Sequence, residues 1–164
     1  MYNILKITIV SFLAIIISNI FTIEFANSQL LSMEGTSDND KIIGREGNDN
    51  IEGFEGNDVL DGWFGDDEIE GGEGNDNLKG GKGDDKLYGD EGNDILKGYV
   101  GNDSLVGGEG DDKLDGGKGA DLLEGSEGED SFICDSKDVI IDFNHQEGDS
   151  IDGACRYDYI PKQL

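Results

Sequence analysis

Every ninth residue from position 42 to position 132 is apolar: Ile42, Ile51, Leu60, Ile69, Leu78, Leu87, Leu96, Leu105, Leu114, Leu123 and Phe132. The residues on either side of each are mostly Lys, Glu, Asp, Asn and Ser. Polar, apolar, polar over three residues is the alternation of a strand with one face turned inward. A fixed period repeated along the chain indicates stacked units, each too small to bury an apolar face alone. The pattern predicts an all-β chain, with three-residue strands at positions 7–9 of each unit and six-residue turns at positions 1–6.

Aligned on that period, eleven units begin at Gly35, Gly44, Gly53, Gly62, Gly71, Gly80, Gly89, Gly98, Gly107, Gly116 and Gly125, and fill residues 35–133. Position 1 is Gly in all eleven, position 4 is Gly in all but one (Asp38), and position 6 is always Asp. Strand, turn, strand, turn closes one coil. The expected architecture is a right-handed parallel β-roll, a β-solenoid with two nonapeptides per coil. One interior ladder would hold Ile42, Leu60, Leu78, Leu96, Leu114 and Phe132, facing Ile51, Ile69, Leu87, Leu105 and Leu123. Five and a half coils at one inter-strand spacing each give a rod on the order of 26 Å long.

Charge changes this picture. The chain has 38 acidic and 12 basic residues, a formal net charge of -26. Such a chain is not expected to bind nucleic acid or an anionic membrane surface, both of which select basic patches. High charge with few aromatics is ordinarily a sign of disorder, but disorder does not require a strict period. Stacking would gather the position 6 aspartates into two columns. Asp40, Asp58, Asp76, Asp94, Asp112 and Asp130 line one edge; Asp49, Asp67, Asp85, Asp103 and Asp121 line the other. These columns repel themselves, and the thin core must also offset roughly 1–2 kcal/mol of backbone entropy per ordered residue. A hard cation relieves both difficulties. Calcium takes 6 to 8 oxygen ligands in flexible geometry, and stacked turns offer carboxylates and carbonyls. His and Cys are absent from every repeat position, which argues against zinc and softer metals. Magnesium demands a stricter octahedron. An EF-hand would need helices that this glycine density forbids.

The stretch GGEGNDNLKGGKGDDKLYG, residues 71–89, states the motif twice. The units at Gly71, Gly80, Gly107 and Gly116 match G-G-x-G-x-D-x-U-x at every fixed place, where U is aliphatic. These residues resemble the RTX (repeats-in-toxin), or hemolysin-type, calcium-binding repeat family. Residues 136–152, SKDVIIDFNHQEGDSID, look like the segment that often follows the last repeat in that family. The resemblance implies calcium between stacked turns of alternate units, with Asp40, Asp49, Asp58, Asp67, Asp76, Asp85, Asp94, Asp103, Asp112, Asp121 and Asp130 as ligands. One ion per stacked pair gives at most about nine, whose 18 positive charges would take -26 to -8. Position 2 departs from the pattern at Thr36, Arg45, Phe54, Trp63, Asp90, Tyr99 and Ser126. The toxin and protease activities of family members are not carried over to this chain.

The ends read separately. Lys6, the uncharged run 7–23 and the small residues Ala26 and Ser28 predict a secretory signal peptide over 1–28, with an uncleaved anchor as the alternative. A short lead follows at 29–34, the repeats at 35–133, and a C-terminal cap at 134–164. After signal cleavage no membrane span is expected. Export places the protein outside the cell, secreted or surface-associated, where Cys134 and Cys155 are free to pair. Asp142, Asp149 and Asp152 serve either as a further cap site or as capping turns. The one histidine, His145, has no partner for catalysis in the sequence, so no enzyme is expected. The expected function is that of an exported calcium-binding module, structural or surface-associated, that folds on extracellular calcium. Recognition is the alternative. Trp63 and Phe64 share an edge with Tyr99 and Val100, and could meet a cell-surface, glycan or protein partner, or simply pack on neighbouring turns. A threonine row for ice binding is absent.

Overall fold

The computed structural model describes residues 31–157; the expected signal peptide, 1–28, and the last residues of the expected cap, 158–164, lie outside the described residues. Strands follow one another at nearly constant intervals: β1 Leu31–Glu34, β2 Lys41–Ile43, β3 Asp49–Glu55, β4 Val59–Phe64, β5 Glu68–Glu73, β6 Asn77–Lys82, β7 Lys86–Glu91 and β8 Ile95–Val100. They continue with β9 Ser104–Glu109, β10 Lys113–Lys118, β11 Leu122–Glu127, β12 Ser131–Cys134, β13 Val139–Ile140, β14 Ser150–Gly153 and β15 Arg156–Tyr157. Odd-numbered strands form an eight-stranded sheet and even-numbered strands a seven-stranded one, each in simple sequential order. All pairs are parallel, and each strand pairs with the strand one coil later, as in Leu60↔Leu78↔Leu96. The expected parallel β-roll with two nonapeptides per coil is the observed fold.

Both interior ladders form. Leu60, Leu78, Leu96, Leu114 and Phe132 from one sheet and Ile51, Ile69, Leu87, Leu105 and Leu123 from the other have no exposed surface; Ile42, in the first repeat, is only partly buried. Parallel strands stack like on like, so each ladder is continuous down the rod.

Two expectations need correction. The strands of the repeat core are six residues long, not three, and take in positions 1–3 of the following unit. Position 2 makes this possible. From Phe54 to Ser126 every position 2 residue has positive φ, which bends the backbone between positions 1 and 3 while pairing resumes at once, as in Trp63↔Gly81 and Phe64↔Lys82. The turn proper is then only positions 4–6. The roll also extends past the repeats. Met33 in β1 pairs with Ile51, Ile140 in β13 with Leu123 and Ile151 in β14 with Phe132. The stack is therefore about seven coils rather than five and a half.

At the C-terminal end Phe143 packs edge-on to Phe132 at 6.3 Å between ring centroids and to His145 at 4.5 Å. Cys134 and Cys155 form a disulfide with Cα atoms 5.5 Å apart, tying the last repeat strand to the segment between β14 and β15. Among the described residues no helix is long and apolar enough to cross a membrane.

Candidate metal centre

The turns of odd units stack along one edge and those of even units along the other, and each brings its aspartate to the same place. From Asp49 to Asp130 these side chains are buried, with 1–3% of their surface exposed. Burial follows from the neighbouring ladder: the apolar residue at position 8 anchors the strand, and the aspartate two places before it is drawn in with it. Asp40, in the first turn, is half-buried.

Each aspartate is held by the coil before it. The backbone N–H of Asp40 donates to Asp58 Oδ1, that of Asp58 to Asp76 Oδ1, and so on down both edges at 2.7–3.0 Å. The ladders end on cap residues. Asp121 donates to Asp138 Oδ1 and Asp130 to Asp149 Oδ1, both at 3.1 Å. The second oxygens of Asp138 and Asp149 accept N–H groups of Asp135 and Asn144, and both oxygens of Asp142 accept N–H groups of Gly125 and Ser126. These three cap carboxylates act as turn-closing acceptors. Asp152 is exposed.

The second oxygen divides ten of the eleven repeat aspartates, all but Asp130, into two groups. In the first coil it is satisfied locally: Asp40 Oδ2 accepts from Thr36 N and Oγ1, and Asp49 Oδ2 accepts from Arg45 N at 3.0 Å. In Asp58, Asp67, Asp76, Asp85, Asp94, Asp103, Asp112 and Asp121, Oδ2 is buried and has no hydrogen-bond partner. The cause lies at position 2. Thr36 and Arg45 are not among the residues with positive φ, whereas position 2 of every later repeat is, and there the N–H no longer serves the aspartate.

The orphaned oxygens face other oxygens. A Cβ placed on Gly62 would meet Asp67 Oδ2 and lie 2.9 Å from the carbonyl oxygen of Gly80, one coil on. The equivalent Cβ on Gly71 would meet Asp76 Oδ2 and lie 2.8 Å from Gly89 O. Glycine at position 1 thus keeps open a space bordered by a carboxylate of one turn and a carbonyl of the next. Among the described residues no three His, Cys, Asp or Glu side chains converge as a metal-binding group, so a cation here would draw much of its coordination from main-chain carbonyls.

Burial dominates the electrostatics. It pushes the carboxyls of Asp67, Asp76, Asp94, Asp103, Asp121 and Asp130 up to about 6, and those of Asp85 and Asp112 up to about 7. Asp58 is raised for the same reason. The N–H donated from the preceding coil works against this, and neighbouring carboxylates reinforce it. A buried carboxylate with one oxygen left without a donor is costly as an anion. A hard cation that accepts only oxygen removes that cost, so the donor set fits calcium.

Two features of the site were not read from the sequence. Position 5, treated as variable, is Asn or Asp in nine of eleven units. Its side-chain oxygen accepts the position 5 N–H of the next coil at 2.7–3.1 Å, from Asn57 N on Asn39 Oδ1 to Glu129 N on Asp111 Oδ1. This ladder runs in the opposite sense to that of position 6, so each turn is clipped to both neighbours. The other feature is Asp90, at position 2, whose Oδ2 is also buried without a partner and whose charge raises the carboxyls of Asp76 and Asp94. A charged residue in a glycine position was its signal.

No curated protein matches the chain significantly. A family model described as the RTX calcium-binding nonapeptide repeat, in four copies, matches residues 34–69, 64–96 and 97–132, together well over half of the chain. On that match, and on the stacked turns it spans, the chain belongs to the RTX calcium-binding nonapeptide repeat family.

Proposed function

We propose that this protein is an exported structural module whose stacked turns take up calcium ions and fold around them. One observation carries the reading: the row of buried, partnerless Oδ2 atoms from Asp58 to Asp121, with a main-chain carbonyl of the next coil bordering the same space at Asp58, Asp67, Asp76, Asp94, Asp103 and Asp112. These eight aspartates are the principal ligands. Asp130 closes the column beside the cap, and Asp40 and Asp49, whose second oxygens already accept N–H groups, contribute least. Bound calcium would supply positive charge and oxygen affinity between turns, and no more. The chain's own residues set the spacing, exclude water from the carboxylates and clip each turn to the next.

Export is supported by the run at 7–23 and by calcium's abundance outside cells, where sites of about 10⁻⁴ to 10⁻³ M suffice. No catalysis is proposed, and the packing of His145 on Phe143 supports a structural role for that residue. Isothermal titration of the full chain with calcium and then magnesium tests the reading. Cooperative uptake of several calcium ions, with no comparable uptake of magnesium, is the expected result; no calcium uptake would refute it.

A second reading, recognition, is favoured by one observation. Trp63 and Tyr99 stand about half exposed, at 52% and 45%, with φ of 77° and 74°, a region that bulky side chains avoid. On this reading the calcium-loaded rod presents Trp63, Phe64 and Tyr99 to a surface, glycan or protein partner.

A further inference from the structure

The two edges of the rod carry different side chains beside their turns. On the edge of Asp58 and Asp76, position 3 is Glu55, Glu73, Glu91, Glu109 and Glu127, a carboxylate on every coil in continuous register. On the other edge, after Arg45 and Glu46 in the first coil, position 3 reads Phe64, Lys82, Val100, Lys118, and position 2 beside it reads Trp63, Gly81, Tyr99, Gly117. This strip has a period of two coils. An apolar pair, Trp63 with Phe64 or Tyr99 with Val100, alternates with glycine and lysine.

Packing explains the glycines. A Cβ on Gly81 would lie 2.8 Å from the carbonyl carbon and 2.9 Å from the Cα of Trp63. Packing does not explain what stands between them. Trp63 and Tyr99, like Phe54, Asp90 and Ser126 on the opposite edge, occupy left-handed backbone where glycine would be free of strain; on this edge both such residues are aromatic and about half exposed. Trp63 rests on Phe64 with ring centroids 5.0 Å apart, and Lys82 Nζ lies 4.8 Å above the Phe64 ring. Among the described residues the ion pair formed is Lys86–Glu68, on the other sheet, so Lys82 and Lys118 stand exposed without a carboxylate. A shallow cleft of about 360 Å³ lies at the second half of the strip, lined by Lys97, Tyr99, Val100, Asp115, Gly117 and Lys118.

We infer that this strip seats an extended acidic polysaccharide carrying one negative charge per disaccharide. Two inter-strand spacings are about 10 Å, the advance of one disaccharide along an extended glycan chain. Sugar faces lie on Trp63 and Tyr99, which offer flat apolar area with little entropy to lose. The intervening charges meet Lys82 and Lys118. A second copy of this chain is the rival occupant, since its glutamate column is acidic. Its charges recur on every coil, however, so every other glutamate would be set against an apolar pair. The inference rests on the calcium reading in two ways. The strip exists only on stacked coils, and calcium between the turns reduces the repulsion that a chain of charge -26 exerts on a polyanion.

The test uses the full chain in millimolar calcium and a hyaluronan hexasaccharide, in which one carboxylate alternates with one neutral sugar. Binding is measured by calorimetry, with circular dichroism on the same samples. Two variants are compared: K82Q/K118Q, which removes the charges, and W63G/Y99G, which removes the rings and relieves the backbone. The expected result is binding by the native chain, weakened about tenfold or more in each variant, with the calcium-induced β signal retained in all three. Three outcomes overturn the inference while leaving the calcium reading intact: no binding by a folded native chain, equal binding by the variants, or a dimer that both variants dissolve while the sugar is ignored. Absence of the calcium-induced signal overturns the calcium reading and the strip with it.

Discussion

Asp85 donates its backbone N–H to Asp103 Oδ1 one coil away, at 2.9 Å, and each of the two residues keeps a buried Oδ2 with no partner. One carboxylate thereby has two tasks. Its first oxygen fixes the register of the preceding turn, and its second is held for something outside the chain. The two tasks separate under substitution.

Asp85→Asn preserves the first task and removes the second, because the amide oxygen still accepts the N–H of Asp67 while an NH₂ replaces the orphaned oxygen. The midpoint for calcium-induced folding is expected to rise by roughly tenfold. Asp40→Asn is expected to shift it far less, since Asp40 Oδ2 is already bonded to Thr36. Calcium titrations followed by far-UV circular dichroism would rank the two. Equal shifts would mean that the orphaned oxygens carry no special weight.

Acidity should act in opposite directions on the calcium-free and calcium-bound states. Folded carboxyls raised to about 6, and to about 7 at Asp85 and Asp112, lie above their value in the unfolded chain, near 3.8. Between roughly pH 4 and 7 the calcium-free rod therefore binds more protons than the unfolded chain. Its stability is greatest below that window and is lost as pH rises through it. Calcium competes with those protons, so the calcium midpoint is expected to fall as pH rises from about 5 to 7.5, with protons released on binding. Dichroism in chelator at both pH values, and calorimetry in buffers of different ionisation enthalpy, would check the two halves.

Gly62→Ala should damage the site without touching a carboxylate. The new methyl group would meet Asp67 Oδ2 and the Gly80 carbonyl, two groups fixed by the ladder. A cost of about 1–3 kcal/mol is expected, read as a higher calcium midpoint and a lower melting temperature of the loaded rod. Unchanged values would show that the space beside Asp67 is not needed.

Reduction of the Cys134–Cys155 bridge, or its replacement by C134S/C155S, removes a crosslink spanning 21 residues. Chain entropy of about 3 kcal/mol is at stake, so the calcium midpoint should rise while the folded end state keeps its β signal. Loss of all calcium-induced structure would instead mean that the cap is indispensable for starting the stack.

The position 8 ladder and the aspartate columns were legible because a strict period of nine puts chemically identical residues on top of one another. What broke the period was not legible. Ile140 follows Leu123 by 17 residues and Ile151 follows Phe132 by 19, so the coils they complete escape a search for nonapeptides. Met33 keeps the spacing, nine residues before Ile42, but escapes the search because residues 26–34 carry neither the Gly nor the Asp of the motif. The six-residue strands depend on positive φ at Trp63 and its equivalents, and aromatic residues there do not announce a left-handed backbone as glycine does. The division between Asp49 and Asp58 has the same origin: both sit in identical motifs, and only the φ of Arg45 and Phe54 tells them apart. The asparagine ladder was in plain view at position 5, but the family pattern leaves that place blank.

The most direct test of the account is far-UV circular dichroism of residues 29–164 in chelator, titrated first with magnesium and then with calcium. The eight orphaned oxygens lead us to expect little β structure in chelator or magnesium, and a cooperative gain with calcium. A full β signal in chelator at neutral pH, unchanged by calcium, would contradict it, for the rod would then hold its buried carboxylates without the ion assigned to them.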